Sequence, residues 1–269
     1  MSSAGTKTAS LLLEQADSVA TLTLNRPQAR NTLTPALIEE LREKVTDLAK
    51  REICRVLIIR GAGDKAFSAG FDIGAIGRTR EVASDGSVRA DGGLDAAFRA
   101  IEDAPFPVVA AIRGHCIGGG FELALACDLR IVAEDAGFRM PPAQLGWVYG
   151  LSNLSRFVSV LGASRARQVF LLGETIDART ALDWGIAHAV CAPSELDNRV
   201  TEITARLSEA APIALGGLKH GIAALARATV SSEDLALHAE WRRRAFMSAD
   251  LAEGRAAFLE RRKPRFSGR

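Results

Sequence analysis

Three consecutive glycines, Gly118, Gly119 and Gly120, stand between the apolar run PVVAAIR at 107–113 and the helical pattern FELALACD at 121–128. Glycine loses more backbone entropy on folding than any other residue, so a run of three implies that the backbone must come close to something there. A buried strand, a tight glycine turn and a helix start form a βα unit, and the first N–H groups of that helix have no intrahelical acceptor. Such groups attract negative charge, either a phosphate or a developing oxyanion. The Gly-Lys-Ser/Thr ending of a P-loop is missing, and so is a well-placed dinucleotide fingerprint. Glu122 falls beside the bound group if the helix starts at the glycines, where a carboxyl can serve as acid or base. The alternative is a glycine turn packed on a sheet, with Glu122 complementing the helix dipole.

The same organisation recurs along the chain. RVLIIR at 55–60 and LRIVA at 129–133 read as further buried strands, and LLLEQ followed by SVATLTLN reads as a hairpin around Ala-Asp-Ser. Thr34 and Pro35 form a helix start, followed by Leu37, Ile38, Leu41, Val45 and Leu48 at helical spacing. A second strand-to-loop junction, KAFSAGFDI at 65–73, lies just past the 55–60 strand, and ligands bind at such ends of open α/β sheets. Residues 74–93 carry charge, glycine and serine without an apolar period, and are expected to form a loop. Beyond residue 150 helical patterns dominate. The chain is therefore expected to be α/β, with a core over 1–200 and a helical region over 201–269 whose apolar helices dock on a partner subunit.

The 34 basic and 32 acidic residues leave a net charge of +2, too little for a field that would favour nucleic acid or an anionic membrane. The N-terminal MSSAGTKTAS lacks the apolar stretch of a signal peptide, and no apolar run has the length of a membrane span. Cys54, Cys116, Cys127 and Cys191 form no CxxC pair, so reduced thiols and a cytoplasmic setting are expected. His115, His188, His220 and His238 are scattered without ligand spacing, so no metal site is expected.

Taken together, FSAGFDI, PVVAAIRGHCIGGGFELALACDLRIVA, the opening TLTLNRPQARNTLT at 21–34 and the ending EGRAAFLERRKPRF at 253–266 closely resemble the enoyl-CoA hydratase/isomerase (crotonase) family. The resemblance covers nearly the whole chain. It implies a spiral core of ββα turns, C-terminal helices that build trimers or hexamers, and an acyl-CoA thioester as substrate, with coenzyme A as part of the substrate and no separate cofactor. Carried over by motif, the oxyanion hole is formed by the N–H groups of Phe71 and Gly119, and Glu122 matches one of two catalytic glutamates. Binding of CoA falls to Arg26 and Arg30, to the backbone near Ala66, Ser68, Asp72 and Ile73, and to Phe258 and Lys263 of a neighbouring subunit.

One position departs from the hydratase pattern. Where a motif like Phe-x-x-Pro-Glu supplies the second glutamate, this chain reads Phe138-Arg139-Met140-Pro141-Pro142, and proline neither takes nor gives a proton. Pro142 and Tyr149, the chain's only tyrosine, align with methylmalonyl-CoA decarboxylase-like members, and Gly150 stands where related dehalogenases carry a nucleophilic aspartate. The expected activity is decarboxylation of a malonyl-type thioester, with Glu122 and Tyr149 catalytic. The alternatives are atypical hydration or isomerisation, non-catalytic CoA binding, and a nicotinamide-dependent dehydrogenase, which lacks its fingerprint in the first βα unit.

Overall fold

The computed structural model describes residues 9–51, 53–75, 81–82, 88–89, 93–210, 212–226, 243, 246–262 and 264–265. Most of the 74–93 loop and Lys263 lie outside that set.

The strands are β1 (Leu11–Ala16), β2 (Val19–Leu24), β3 (Val56–Gly61), β4 (Ala66–Ser68), β5 (Glu81–Val82), β6 (Val88–Arg89), β7 (Val108–Ile112), β8 (His115–Ile117), β9 (Leu129–Ala133), β10 (Gly137–Arg139), β11 (Ile176–Asp177) and β12 (Ala189–Cys191). The helices are α1 (Pro35–Lys50), α2 (Leu94–Glu102), α3 (Gly119–Ala126), α4 (Leu151–Leu172), α5 (Ala178–Asp183), α6 (Leu196–Glu209), α7 (Pro212–Ala226) and α8 (Ala249–Leu259). A larger sheet runs β1-β2-β3-β7-β9-β12 and a smaller one β11-β10-β8-β4, while β5 and β6 pair with each other. Only the outermost pairs, β1 with β2 and β10 with β11, are antiparallel within the first two sheets.

Each turn of the chain gives one strand to each sheet. β3 leads to β4, β7 to β8 and then α3, and β9 to β10, which is the expected ββα spiral. β7 is buried at every residue, as a central parallel strand covered on both faces must be, and this explains its unbroken apolar run. On β2 burial alternates, with Ala20, Leu22 and Leu24 turned inward. Thr34 caps α1 by accepting from the Leu37 N–H, and the five apolar residues read from the sequence are the buried face of that helix.

Two short strands after residue 150 escaped the sequence reading. β12 closes the larger sheet by pairing with β9, and β11 closes the smaller by pairing with β10. At three and two residues they are too short for an alternation signal. The expected boundary at 200 falls inside α6, whose Leu196 and Val200 pack on the outer face of the larger sheet with Val56, Val109 and Ile131. Among the described residues no helix is long and apolar enough to cross a membrane, and no three His, Cys, Asp or Glu side chains group as metal ligands.

Candidate active site

The carboxyl ends of β4 and β8 lie side by side, and the glycine turn is built against them. Gly118 has φ 55°, a left-handed conformation that L side chains avoid. Gly120 is pressed on the preceding strand, since a Cβ there would fall 2.7 Å from Ser68 Cβ and 2.7 Å from its carbonyl oxygen. A Cβ on Gly119 would sit 3.4 Å from the Phe71 nitrogen. The close approach implied by the glycine run is therefore to the Ser68–Phe71 segment.

Backbone bonding leaves two N–H groups there uncommitted. Leu33 N–H donates to the Gly70 carbonyl at 2.8 Å and Asp72 N–H to the Leu33 carbonyl at 2.9 Å, a parallel bridge that turns Phe71 N–H the other way. Gly119 opens α3, so its N–H is one of the donors that a helix cannot satisfy itself. Neither has an acceptor among the described residues. Two adjacent backbone donors at the end of a parallel sheet can hold an oxyanion.

Buried Asn31 braces this end. Its Nδ2 donates to the carbonyls of Ala62 at 3.0 Å and Ala66 at 2.8 Å, and its Oδ1 accepts from Arg26 N–H at 3.0 Å. Ser68 Oγ donates to the Asn31 carbonyl at 2.8 Å and accepts from Gly70 N–H at 3.1 Å.

Glu122 is fully buried on α3. Its Oε1 accepts from Asn153 Nδ2 at 2.6 Å and from Arg156 Nη1 at 2.9 Å, while Oε2 has no partner among the described residues. Burial pushes the carboxyl up to about 7, against the pull of Arg156 and Asn153 and with help from the charge of Asp95. Arg156 is shared with the two carboxyls of α2. It donates to both oxygens of Glu102 at 2.6 and 3.1 Å and to Asp95 Oδ1 at 3.0 Å. Burial and the charge of Glu122 hold the Tyr149 hydroxyl well above its ordinary range.

A cavity of about 390 Å³ connects these groups. Gly70, Phe71, Gly118, Gly119, Glu122, Asn153 and Tyr149 line its inner end, and Met140, Pro142, Leu145 and Trp147 form an apolar wall. The chain's own C-terminus supplies Gly254, Phe258, Arg262 and Pro264. α8 reaches the cavity by crossing the 142–146 turn backbone to backbone, since a Cβ on Gly254 would lie 2.5 Å from the Leu145 carbonyl and one on Gly146 2.8 Å from Asp250. Phe246 adds an edge-on contact with Trp147 at 4.9 Å.

This architecture matches known proteins over its full length. The sequence profile of the enoyl-CoA hydratase/isomerase family covers residues 14–269. The chain belongs to that family, the crotonases. It is 33% identical over 257 residues to the crotonyl-CoA hydratase of Syntrophomonas wolfei, covering 95% of this chain and 97% of that protein. It is also 33% identical to the carnitinyl-CoA dehydratase of Proteus mirabilis, covering 97% and 99%. Among solved structures, methylmalonyl-CoA decarboxylase complexed with 2S-carboxypropyl-CoA superposes with a TM-score of 0.89 at 30% identity, over 98% of this chain and all of that one. An enoyl-CoA hydratase of Mycobacterium avium subsp. paratuberculosis gives 0.81 at 29%, over 96% and 99%.

Within this crotonase fold the residues singled out from sequence divide sharply. Phe71, Gly119, Glu122, Tyr149, Arg30, Ile73 and Phe258 all line the cavity. Phe258 lines the cavity of its own chain. Arg26, Ala66, Ser68 and Asp72 do not line it. Arg26 Nη1 donates to the Thr32 carbonyl at 2.8 Å, Ala66 and Ser68 serve the Asn31 brace, and Asp72 Oδ1 accepts from Gly74 N–H at 3.0 Å. Asn153 and Arg156 went unnoticed in the sequence; their signal is a polar pair three residues apart on the inner face of an otherwise apolar helical pattern.

Proposed function

We propose that the protein is an acyl-CoA lyase that decarboxylates a malonyl-type CoA thioester. In this reading Phe71 and Gly119 N–H groups hold the enolate oxygen and Glu122 protonates the α-carbon. The observation that carries it is that Glu122 is the one carboxyl lining the cavity among the described residues, with buried Pro142 lining the same cavity. Hydration uses two acid/base groups, one to activate water and one to protonate the α-carbon, whereas decarboxylation needs a single proton donor.

The steps balance without any other reagent. The bond from the α-carbon to the carboxylate breaks, carbon dioxide leaves, and the electron pair moves into the thioester as an enolate whose oxygen accepts hydrogen bonds from the two N–H groups. The α-carbon then takes the proton of Glu122, which solvent restores. A carboxyl pushed up to about 7 still carries a proton part of the time at neutral pH, as a general acid must. Tyr149, kept protonated by burial and by Glu122, is the second candidate donor. Arg30 offers a cation to the CoA phosphates, with Lys263 as a further expected contributor. Ile73 and Phe258 offer apolar contact.

The high TM-score to methylmalonyl-CoA decarboxylase supports this reading. The hydratase and dehydratase names of relatives at 33% identity support a second, atypical hydration through an acid/base not yet identified. Either activity needs no cofactor beyond the substrate's own CoA. Exposed Leu218 and Ile222 on α7 suit the proposed trimer or hexamer, and four unbridged cysteines suit a cytoplasmic setting.

The test is a mass-spectrometric turnover screen on methylmalonyl-CoA and crotonyl-CoA with the protein and its Glu122→Gln variant. Carbon dioxide loss that the variant abolishes is the expected result. Hydration of crotonyl-CoA at a hydratase-like rate, without decarboxylation, overturns the proposal in favour of the second reading.

A further inference from the structure

The ion cluster behind Glu122 has an unequal charge count. Asp95, Glu102 and Glu122 are joined through Arg156, and Arg99 adds a second cation by donating to Asp95 Oδ2 at 2.8 Å. Three carboxyls therefore share two guanidiniums. Asp95 and Glu102 keep 23% and 25% of their side chains in water, whereas Glu122 keeps none. An unmatched charge is least tolerable where solvation is absent, so the carboxyl that goes without its charge is Glu122.

The geometry agrees with the count. Both oxygens of Glu102 accept from Arg156, and both oxygens of Asp95 are engaged. Glu122 presents only Oε1 to its donors, leaving Oε2 as the place for a proton. Tyr149, His115 and the thiols of Cys116 and Cys127 also lie near α3, and the one further guanidinium packed on that helix among the described residues, Arg130, donates to the Ala124 and Cys127 carbonyls at 3.2 and 2.6 Å, at the helix's carboxyl end, and not to Glu122. Arg139 on β10 is turned away, donating to the Gly173 carbonyl at 2.7 Å and to Gln144 Oε1 at 2.8 Å.

We infer that Arg156, Asp95 and Glu102 form a positioning set: Arg156 fixes Glu122 Oε1, and the two carboxylates on α2 absorb its charge so that Glu122 holds a proton on Oε2. The inference rests on the reading of Glu122 as the acid, and it gives that reading its physical cause. Arg156 itself touches no cavity atom and acts only through Glu122.

The experiment is the pH profile of kcat on methylmalonyl-CoA for the protein and for Asp95→Asn, with Glu102→Gln as the second variant should the first fail to fold. Removing one α2 carboxylate returns part of the Arg156 charge to Glu122. The falling limb of kcat is expected to move to lower pH by about one unit, the low end for a charge neighbour that keeps some water, with KM little changed. A limb that stays in place in both variants, while Glu122→Gln is inactive, overturns the positioning set and spares Glu122 as the acid. If no malonyl-type thioester turns over, the proposed function has failed. The positioning set is then judged on the pH dependence of urea unfolding, where Asp95→Asn is expected to move the Glu122 titration down by the same amount and no movement refutes it.

Discussion

Replacing Glu122 by glutamine should make folding stability less sensitive to pH, by an amount set by the site. The carboxyl titrates near 4.5 when exposed and is pushed up to about 7 in the fold. A raised acid binds its proton more tightly when folded, so its favourable contribution is full below 4.5 and gone once the pH has risen through about 7. At about 1.4 kcal/mol per decade the whole difference is about 3 kcal/mol, most of which falls between pH 5 and pH 8. Glutamine does not titrate, and its Oε1 can still accept from Asn153 and Arg156. Its amide leaves an unpaired donor at the Oε2 position, a cost that is constant with pH. The informative quantity is therefore the change with pH in the stability difference between variant and parent. Urea unfolding followed by tryptophan fluorescence at pH 5, 6, 7 and 8 measures it, and the variant should gain on its parent by about 2 to 3 kcal/mol across that range. A difference that does not vary with pH, or one that moves against the variant as the pH rises, refutes the claim that burial outweighs Arg156 at this carboxyl.

Gly119→Ala keeps its N–H and adds a methyl at ordinary contact distance from Leu33, Leu94 and the Phe71 nitrogen, so thermal unfolding should change little while kcat falls because the methyl crowds the space between the two oxyanion donors. Gly254→Ala places a Cβ 2.5 Å from the Leu145 carbonyl and should lift α8 from its seat, exposing the segment after residue 246 to limited proteolysis and raising KM through loss of the Phe258 and Arg262 wall. Lys219→Met removes the Nζ that binds Asp128 at 2.8 Å and the carbonyls of Ile101 and Phe106 at 2.8 and 3.0 Å. It should cost about 2 kcal/mol in urea unfolding, below the figure for a wholly buried pair because Asp128 keeps some water.

What the sequence determined by itself is the local grammar. Apolar runs bounded by turns announced β3, β7 and β9, the Thr34-Pro35 start and its apolar stripe announced α1, and three glycines announced a backbone contact next to Glu122. Each of these depends on residues within a few positions of one another, so composition and period suffice to read it. The spiral and the oxyanion pair were legible only through resemblance to a family, because no local property of Phe71 ties it to Gly119.

Tertiary structure alone decided the rest. Which oxygen of Glu122 is left without a donor depends on Asn153 and Arg156, more than thirty positions away, and on the two α2 carboxylates that compete for Arg156. That Phe258 reaches the cavity of its own chain depends on α8 meeting the 142–146 turn across two glycines. That Arg26, Ser68 and Asp72 also tie down neighbouring backbone, at Thr32, Asn31 and Gly74, could not be read from their letters. Burial and hydrogen-bond partners are properties of the packed chain, and they determine whether a carboxyl holds its proton and whether an arginine remains free for phosphate.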